Sequence, residues 1–147
     1  MTGDEPRRPA DRHSHGGGCL CGAVRYEVSG DLRPVVNCHC GLCRRFHGHH
    51  GAYSGAKWEA VTIREQGELR WYRSSEHARR GFCAVCGSSL FWDKDGRGFL
   101  AIAAGSLDQP TGLRTVRHIF TADRGDYYEI TDGLEQFAGS MLSAQPG

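Results

Sequence analysis

The sequence predicts a mainly β fold, an all-β sandwich or small barrel, folded as a single domain. Three observations indicate this class. Several short segments alternate apolar and polar residues with a period of two, as half-buried strands do. Turn sequences rich in glycine separate these segments at intervals of roughly 8–12 residues. The only segment with helical character, residues 42–48, is short.

The candidate strands follow one another from residue 24 to residue 130. Alternation is clearest at 24–28, 61–63 and 116–120, where apolar or aromatic side chains occupy every second position. Less regular candidates lie at 68–72, 81–82, 89–92, 99–104 and 127–130. Many short strands in this arrangement favour an all-β architecture over an α/β fold.

The length of 147 residues is that of one domain. Residues 1–15 are polar and rich in proline, glycine and charge, so we expect them to form a disordered N-terminal tail. The predicted domain spans residues 16–137, and residues 138–147 are interpreted as a C-terminal tail.

The charge and hydropathy patterns exclude two classes of partner. The chain carries 18 Lys and Arg against 17 Asp and Glu, a net charge of +1, so it lacks the basic excess that nucleic acids or anionic membranes call for. The longest apolar run, residues 99–104, is far shorter than the roughly 18 residues of a membrane span.

We read no secretory signal near the N-terminus and therefore expect a cytoplasmic protein. In that reducing compartment, grouped cysteines favour metal sites or catalytic thiols over disulfides.

The seven cysteines form three groups: Cys19 and Cys21; Cys38, Cys40 and Cys43; and Cys83 and Cys86. A Cys-x-x-Cys turn brings two sulfurs to one tetrahedral zinc, where Zn–S distances of about 2.3 Å imply sulfurs about 3.8 Å apart. Gly87 follows the third group, so this turn can adopt a positive φ with the glycine amide toward the thiolate. In the first group, residues two apart project from the same face of an extended chain.

The number of ligands that zinc takes assigns the two cysteine pairs to one site. A closed structural zinc takes four protein ligands. The pairs supply Cys19, Cys21, Cys83 and Cys86. A metal held in this way would join an early strand to a late one and contribute to the stability of the fold.

The remaining trio, Cys38, Cys40 and Cys43, could hold a second zinc and leave its fourth position open, as catalytic zinc sites do. We therefore expect two zinc ions per chain. Three thiolates reduce the Lewis acidity of the metal toward water and suit it to holding an incoming thiol.

Three other interpretations of the cysteines stay open. The chain could hold one zinc and bury its remaining thiols, since free cysteine is often buried. The trio could contain a redox pair. A histidine could close the second site, and the candidates near the trio are His39, His47, His49 and His50.

The order of the cysteine segments is specific. GGCLCGAVRYEV stands at 17–28, CHCGLCRR at 38–45 and FCAVCGS at 82–88, followed by HIF at 118–120, DYY at 126–128 and DGL at 132–134. Together these segments, within residues 16–137, resemble the glutathione-dependent formaldehyde-activating enzyme family, also called the centromere protein V family.

The resemblance implies a fold, two metal sites and a reaction. The fold is of the Mss4-like type, with packed β-sheets stapled by zinc. The structural zinc falls on the four paired cysteines and the catalytic zinc on the trio. The reaction is that of a carbon–sulfur lyase, joining glutathione and formaldehyde as S-hydroxymethylglutathione or reversing that step.

Histidines and arginines after the trio are candidates for further roles. The family usually has small residues where this chain has His49 and His50. With His47 and His118, these histidines could transfer the proton that the hemithioacetal oxygen gains or loses. His118 lies on an alternating strand, where a packed, hydrogen-bonded histidine is the simpler interpretation. Arg44 and Arg45 could bind the carboxylates of a glutathione-like ligand, offset the anionic zinc site, or simply be solvated.

The leading hypothesis is an enzyme that adds a small thiol to a small aldehyde at the trio zinc. The rival hypothesis is a zinc-stabilised binding module without catalysis. Metal content measured together with activity distinguishes the two.

Overall fold

A computed structural model of the chain describes residues 14–140. Within that range the chain forms eleven strands and one α-helix. In chain order these are β1 Ser14–Gly18, β2 Arg25–Ser29, β3 Val35–Cys38, α1 Gly41–His47, β4 Gly51–Lys57, β5 Val61–Arg64, β6 Leu69–Arg73, β7 Ala78–Cys83, β8 Ser89–Lys94, β9 Phe99–Ala103, β10 Thr115–Ile119 and β11 Glu135–Gln136. The predicted mainly β class is confirmed.

The strands form two sheets. The smaller has the order β1-β2-β5, and the larger has the order β11-β10-β3-β4-β9-β8-β7-β6. Neighbouring strands are antiparallel except that β10 runs parallel to both β3 and β11. The ends of β3 and β10 therefore meet at one edge of the large sheet.

A main core lies between the sheets. Tyr26 and Val28 of β2 pack with Phe91, Leu100 and Ile102 of the large sheet, and all five are almost fully buried. Their period-two spacing places them on one face of each strand. The rings of Tyr26 and Phe91 meet edge to face with centroids 5.2 Å apart.

A smaller second core lies on the opposite face of the large sheet. Ala101 lies between Leu100 and Ile102 in β9, and its side chain points to this opposite face, where it packs with Tyr53 of β4 and Cys43 of α1. The helix and the cysteine trio thus sit on a different face of the sheet from the main core.

Helix α1 is short because it is capped at both ends. The Cys40 sulfur accepts a hydrogen bond from the Cys43 backbone N–H, which fills the N-cap position. Gly48 adopts φ 82°, and its N–H donates to the Arg44 carbonyl oxygen to end the helix. The helix predicted at 42–48 is present one residue earlier.

No described helix has the length and apolar character that crossing a membrane requires.

Several elements differ from the sequence prediction. The strand predicted at 127–130 is a turn followed by loop, whereas β1, β3, β4 and β11 were not predicted. Strand β4 has the sequence GAYSGAK, whose small residues show no alternation because it is buried on both faces. A Cβ at Gly55 would lie 2.4 Å from the Phe99 ring, so this central strand must use glycine there.

Parts of both predicted tails lie within the described residues. Ser14 and His15, assigned above to the N-terminal tail, belong to β1 and pair with Ser29 and Val28. Backbone pairing with a neighbouring strand orders them in spite of their polar composition. At the other end, Gly139 accepts a hydrogen bond from the Phe120 N–H, so the first residues of the predicted C-terminal tail pack on the domain. The rest of both predicted tails lies outside the described residues.

Candidate metal centres

The four paired cysteines converge at one end of the main core. Cys19 and Cys21 lie in the turn between β1 and β2, Cys83 ends β7, and Cys86 lies in the turn before β8. The Cys19 and Cys21 sulfurs are 3.6 Å apart, and those of Cys21 and Cys83 are 3.8 Å apart. All four sulfurs lie within 4.8 Å of one another. These separations fit the roughly 3.8 Å expected for thiolates on one tetrahedral zinc.

Hydrogen bonds fix both turns. The Val24 N–H donates to the Cys19 sulfur over 3.3 Å, and the Ser88 hydroxyl lies 3.2 Å from the Cys86 sulfur. Gly87 has the predicted positive φ, 79°, but its N–H donates to the Cys83 carbonyl oxygen rather than to a sulfur. The backbone at Cys19 and Cys21 is also not the extended chain that the sequence predicts. They converge because a turn closes between Cys19 and Gly22, whose N–H donates to the Cys19 carbonyl.

The cysteine trio gathers where β3 leads into α1. Cys38 is the last residue of β3, Cys40 is the N-cap, and Cys43 lies in the first helical turn. Their sulfurs lie within 4.8 Å of one another. Thiols of Cys38 and Cys43, with the Cys43 backbone N–H, donate to the Cys40 sulfur and place the Cys40 pKa well below its ordinary value. Three thiols this close favour a metal, which takes up the charge that ionisation creates.

A buried arginine faces the trio. Arg80 of β7 is only 3% exposed, and its two terminal nitrogens lie 3.6 and 3.7 Å from the Cys43 sulfur. The same guanidinium lies 5.1 Å from the Phe46 ring centroid. Burial lowers the pKa of Arg80, but the neighbouring Cys43 and Tyr53 outweigh it, and the net shift is upward. A buried cation without a counter-charge is costly, so the place of Arg80 beside the trio favours negative charge on this group of sulfurs.

Sequence reasoning missed Arg80. It follows Arg79 in a strand, and the pair reads as ordinary surface charge. Only the pairing of β7 with β8 and the position of α1 show that Arg80 points into the second core while Arg79 pairs with Asp93.

His47 lies next to Tyr53, which in turn contacts Arg80. Its Nε2 lies 2.7 Å from the Tyr53 hydroxyl, and that hydroxyl lies 3.4 Å from Arg80. Burial, followed by the positive charge of Arg80 and the neighbouring His50, lowers the pKa of His47 to about 4. His47 is therefore neutral near pH 7, with a hydrogen-bonded path toward the trio.

His49 and His50, the other candidate histidines, lie in a separate cluster of aromatic rings. The His49 ring lies 4.3 Å from that of Tyr128, and the His50 ring lies 5.0 Å from that of His39. Both ring nitrogens of His39 are occupied: Nδ1 contacts the Tyr128 hydroxyl, and Nε2 lies 2.8 Å from Nδ1 of His118. Among the described residues, no histidine nitrogen joins the group formed by the trio sulfurs.

The two arginines that follow the trio lie on α1. Arg44 is half-buried and Arg45 is exposed. As part of the last helical turn they complement the negative end of the helix dipole. Both side chains start from the same short helix as Cys43, which keeps them near the trio.

Comparisons with known proteins agree with this architecture. The curated relatives include a Halomonas elongata protein provisionally named a glutathione-dependent formaldehyde-activating enzyme. It is 28% identical over 139 residues, which cover 84% of this chain and 86% of the relative. A crystal structure of a Rhodobacter sphaeroides protein superposes with a TM-score of 0.56 at 19% identity, covering 83% of this chain and 98% of that one, and it supports the fold. The family profile described as glutathione-dependent formaldehyde-activating enzyme matches residues 14–123, a segment that includes all seven cysteines. The chain therefore belongs to the glutathione-dependent formaldehyde-activating enzyme family.

Proposed function

We propose that this chain is a zinc-dependent carbon–sulfur lyase that adds a small thiol to a small aldehyde or catalyses the reverse cleavage. The family name and the name of the Halomonas relative suggest glutathione and formaldehyde as the substrates. The observation that carries the proposal is the close trio of Cys38, Cys40 and Cys43 with the buried Arg80 against it.

The two cysteine groups take different roles in this proposal. The four-cysteine group provides a complete tetrahedral ligand set and holds a structural zinc. The trio provides three ligands and leaves a position for substrate. When bound at the trio, zinc supplies Lewis acidity that lowers the pKa of an incoming thiol.

Arg80 adjusts the charge of the trio. Three thiolates with one divalent zinc carry a net negative charge, which would repel an anionic thiolate substrate. The guanidinium of Arg80 cancels that charge and donates to the Cys43 sulfur. Because Arg80 and Cys43 are both buried, this compensation is less screened by water than a surface ion pair would be.

The reaction requires one proton to change place. As the sulfur–carbon bond forms, the thiol gives up its proton and the carbonyl oxygen of the aldehyde gains one. We assign this transfer to His47, because its neutral ring reaches the Tyr53 hydroxyl and through it Arg80. His49 and His50, whose rings lie toward Tyr128 and His39, are the alternative candidates. Arg44 and Arg45 are the proposed partners of substrate carboxylates, because guanidinium pairs well with carboxylate.

Activity and metal content measured on the same samples test the proposal. We expect two zinc ions per purified chain and a faster exchange between free and S-hydroxymethylated glutathione, measured by exchange NMR against the uncatalysed mixture. Cys40→Ser should lose one zinc and the acceleration while the main core stays folded, because it removes a trio ligand outside that core.

Two results would count against the proposal. An inactive wild-type protein with both zinc sites filled would favour a zinc-stabilised binding module. A Cys40→Ser protein that keeps the metal and the acceleration would remove the trio from the reaction.

A further inference from the structure

Four side chains form a continuous hydrogen-bonded chain beside the trio. The Tyr128 hydroxyl contacts Nδ1 of His39, Nε2 of His39 lies 2.8 Å from Nδ1 of His118, and Nε2 of His118 lies 2.8 Å from a carboxylate oxygen of Asp132. His39 is 1% exposed and His118 4% exposed. Tyr128 and Asp132 both belong to the loop of residues 120–134 between β10 and β11.

The chain has one consistent direction when both imidazoles are neutral. The amide of Leu134 and the ring of His118 donate to Asp132 and lower its pKa, so this carboxylate is ionised and can only accept. His118 must then donate from Nε2 and accept at Nδ1. His39 in turn donates from Nε2 and accepts the Tyr128 hydroxyl proton at Nδ1. Every ring nitrogen of His39 and His118 then has a hydrogen-bond partner, as buried polar groups require.

His39 links this chain to the trio through the backbone. It stands between Cys38, at the end of β3, and Cys40, whose φ of −64° and ψ of 160° are extended. In extended backbone, alternate side chains point to opposite sides, so His39 points away from the two cysteine sulfurs. The His39 N–H also donates to the Ile119 carbonyl of β10 over 3.0 Å. Three hydrogen bonds thus fix the one residue that separates two trio ligands.

We propose that Asp132, His118 and Tyr128 are positioning residues for the trio metal site and act through His39. By fixing the His39 ring they set the spacing of Cys38 and Cys40, so metal bound at the trio and the order of the 120–134 loop stabilise each other. This inference rests on the proposed binding of metal by the trio. Groups hydrogen-bonded directly to metal ligands typically change metal affinity ten- to a hundredfold when they are removed, so residues that act one step further out should have a smaller effect.

Cobalt titration of the whole chain tests this role without relying on activity. Cobalt(II) thiolate absorption reports on both cysteine groups, and Cys40→Ser protein provides the reference spectrum of the four-cysteine site alone. We expect Asp132→Asn and Tyr128→Phe to weaken cobalt binding at the trio about three- to tenfold, since both residues act on the ligands only through His39. The four-cysteine site should keep its wild-type affinity. Asp132→Glu, which retains the carboxylate, should recover part of the loss.

Asp126→Asn is the matched control, because Asp126 is an exposed carboxylate in the same loop. It should titrate like wild type. Trio affinities within twofold of wild type in Asp132→Asn and Tyr128→Phe would overturn the proposal. Equal losses at both sites with a lowered melting temperature would also overturn it, since they indicate general destabilisation. If wild-type protein binds cobalt at the four-cysteine site only, the proposed function fails instead.

Discussion

At the scale of single residues, the second core contains charged and titratable groups that the hydrophobic pattern does not reveal. Arg80 and His47 approach the same Tyr53 hydroxyl from β7 and α1. Arg80 is buried and brings a positive charge to the trio, whereas His47 is half-buried and neutral near pH 7. The cysteines themselves were recognisable from spacing, because ligands in a short turn are close in sequence. Their partners were not, because they come from other elements.

The lowered pKa of His47 predicts an acid sensitivity of the fold. An unfolded histidine binds a proton near pH 6.5, whereas His47 in the folded chain does so only near pH 4. The unfolded state therefore binds more protons between these values, and the free energy of unfolding should decrease as the pH falls through this range. Above about pH 6.5 the contribution is constant.

Urea denaturation at several pH values measures this effect. His47→Gln should show a weaker decrease between pH 6.5 and 4 than wild type, with both proteins in the same metal state. His77→Gln is the control, because the His77 side chain is 73% exposed and should leave the profile unchanged. Identical profiles for wild type and His47→Gln would contradict the prediction.

At the scale of elements, strands were predictable where one face meets the core and the other meets solvent. β2 alternates fully buried and exposed residues, and its prediction was correct within one residue. β1 was not predicted because its sequence, SHGGG, has too few side chains to show an alternation of apolar and polar residues. Its glycines are required by what lies opposite. A Cβ at Gly17 would lie 2.3 Å from the Tyr26 hydroxyl oxygen and 2.7 Å from the Ser106 carbonyl oxygen.

Gly17→Ala should therefore destabilise the fold. The Tyr26 ring is buried and hydrogen-bonded to Ser106, so it has little room to move. Overpacking of this kind costs about 1–3 kcal/mol. Chemical denaturation should show this decrease in the free energy of unfolding. Gly105→Ala is the control, since no atom lies within 4 Å of a Cβ there, and it should change stability by less than about 0.5 kcal/mol. Equal stabilities of the two variants would refute the steric explanation.

At the scale of the whole molecule, the two cysteine groups lie against different cores. Cys19 and Cys83 are buried in the main core between the sheets, and Cys43 belongs to the second core on the other face of the large sheet. The four-cysteine group joins parts of the chain 62 residues apart in sequence. Metal bound there would constrain the packing of one sheet on the other, whereas metal at the trio would leave that packing unchanged.

Loss of metal should therefore have unequal effects at the two sites. We expect Cys86→Ser to lower the melting temperature by about 10 °C or more, since roughly 1 kcal/mol corresponds to 2–4 °C for a domain of this size and structural zinc contributes directly to folding. Cys40→Ser, the matched removal of one thiol at the trio, should lower the melting temperature by much less, because the packing of the two sheets does not depend on the trio. Calorimetry of zinc-loaded proteins measures both. A Cys86→Ser protein with the wild-type melting temperature would contradict the structural role.

The sequence alone was sufficient to predict the mainly β class, the grouping of the cysteines as four and three, and the family. The class and the members of each cysteine pair depend on local spacing: a period of two along a strand, or sulfurs brought together by one turn. The two pairs were joined into one group by the four ligands that a closed zinc site takes, and the family was recognised from the order of the cysteine segments. The tertiary structure decided the rest. It showed which strands without alternation are buried on both faces, that Arg80 faces the trio, and that His39, His118, Tyr128 and Asp132 form one chain. Such contacts join residues far apart in sequence, and only the pairing of strands and the path of the 120–134 loop bring them together.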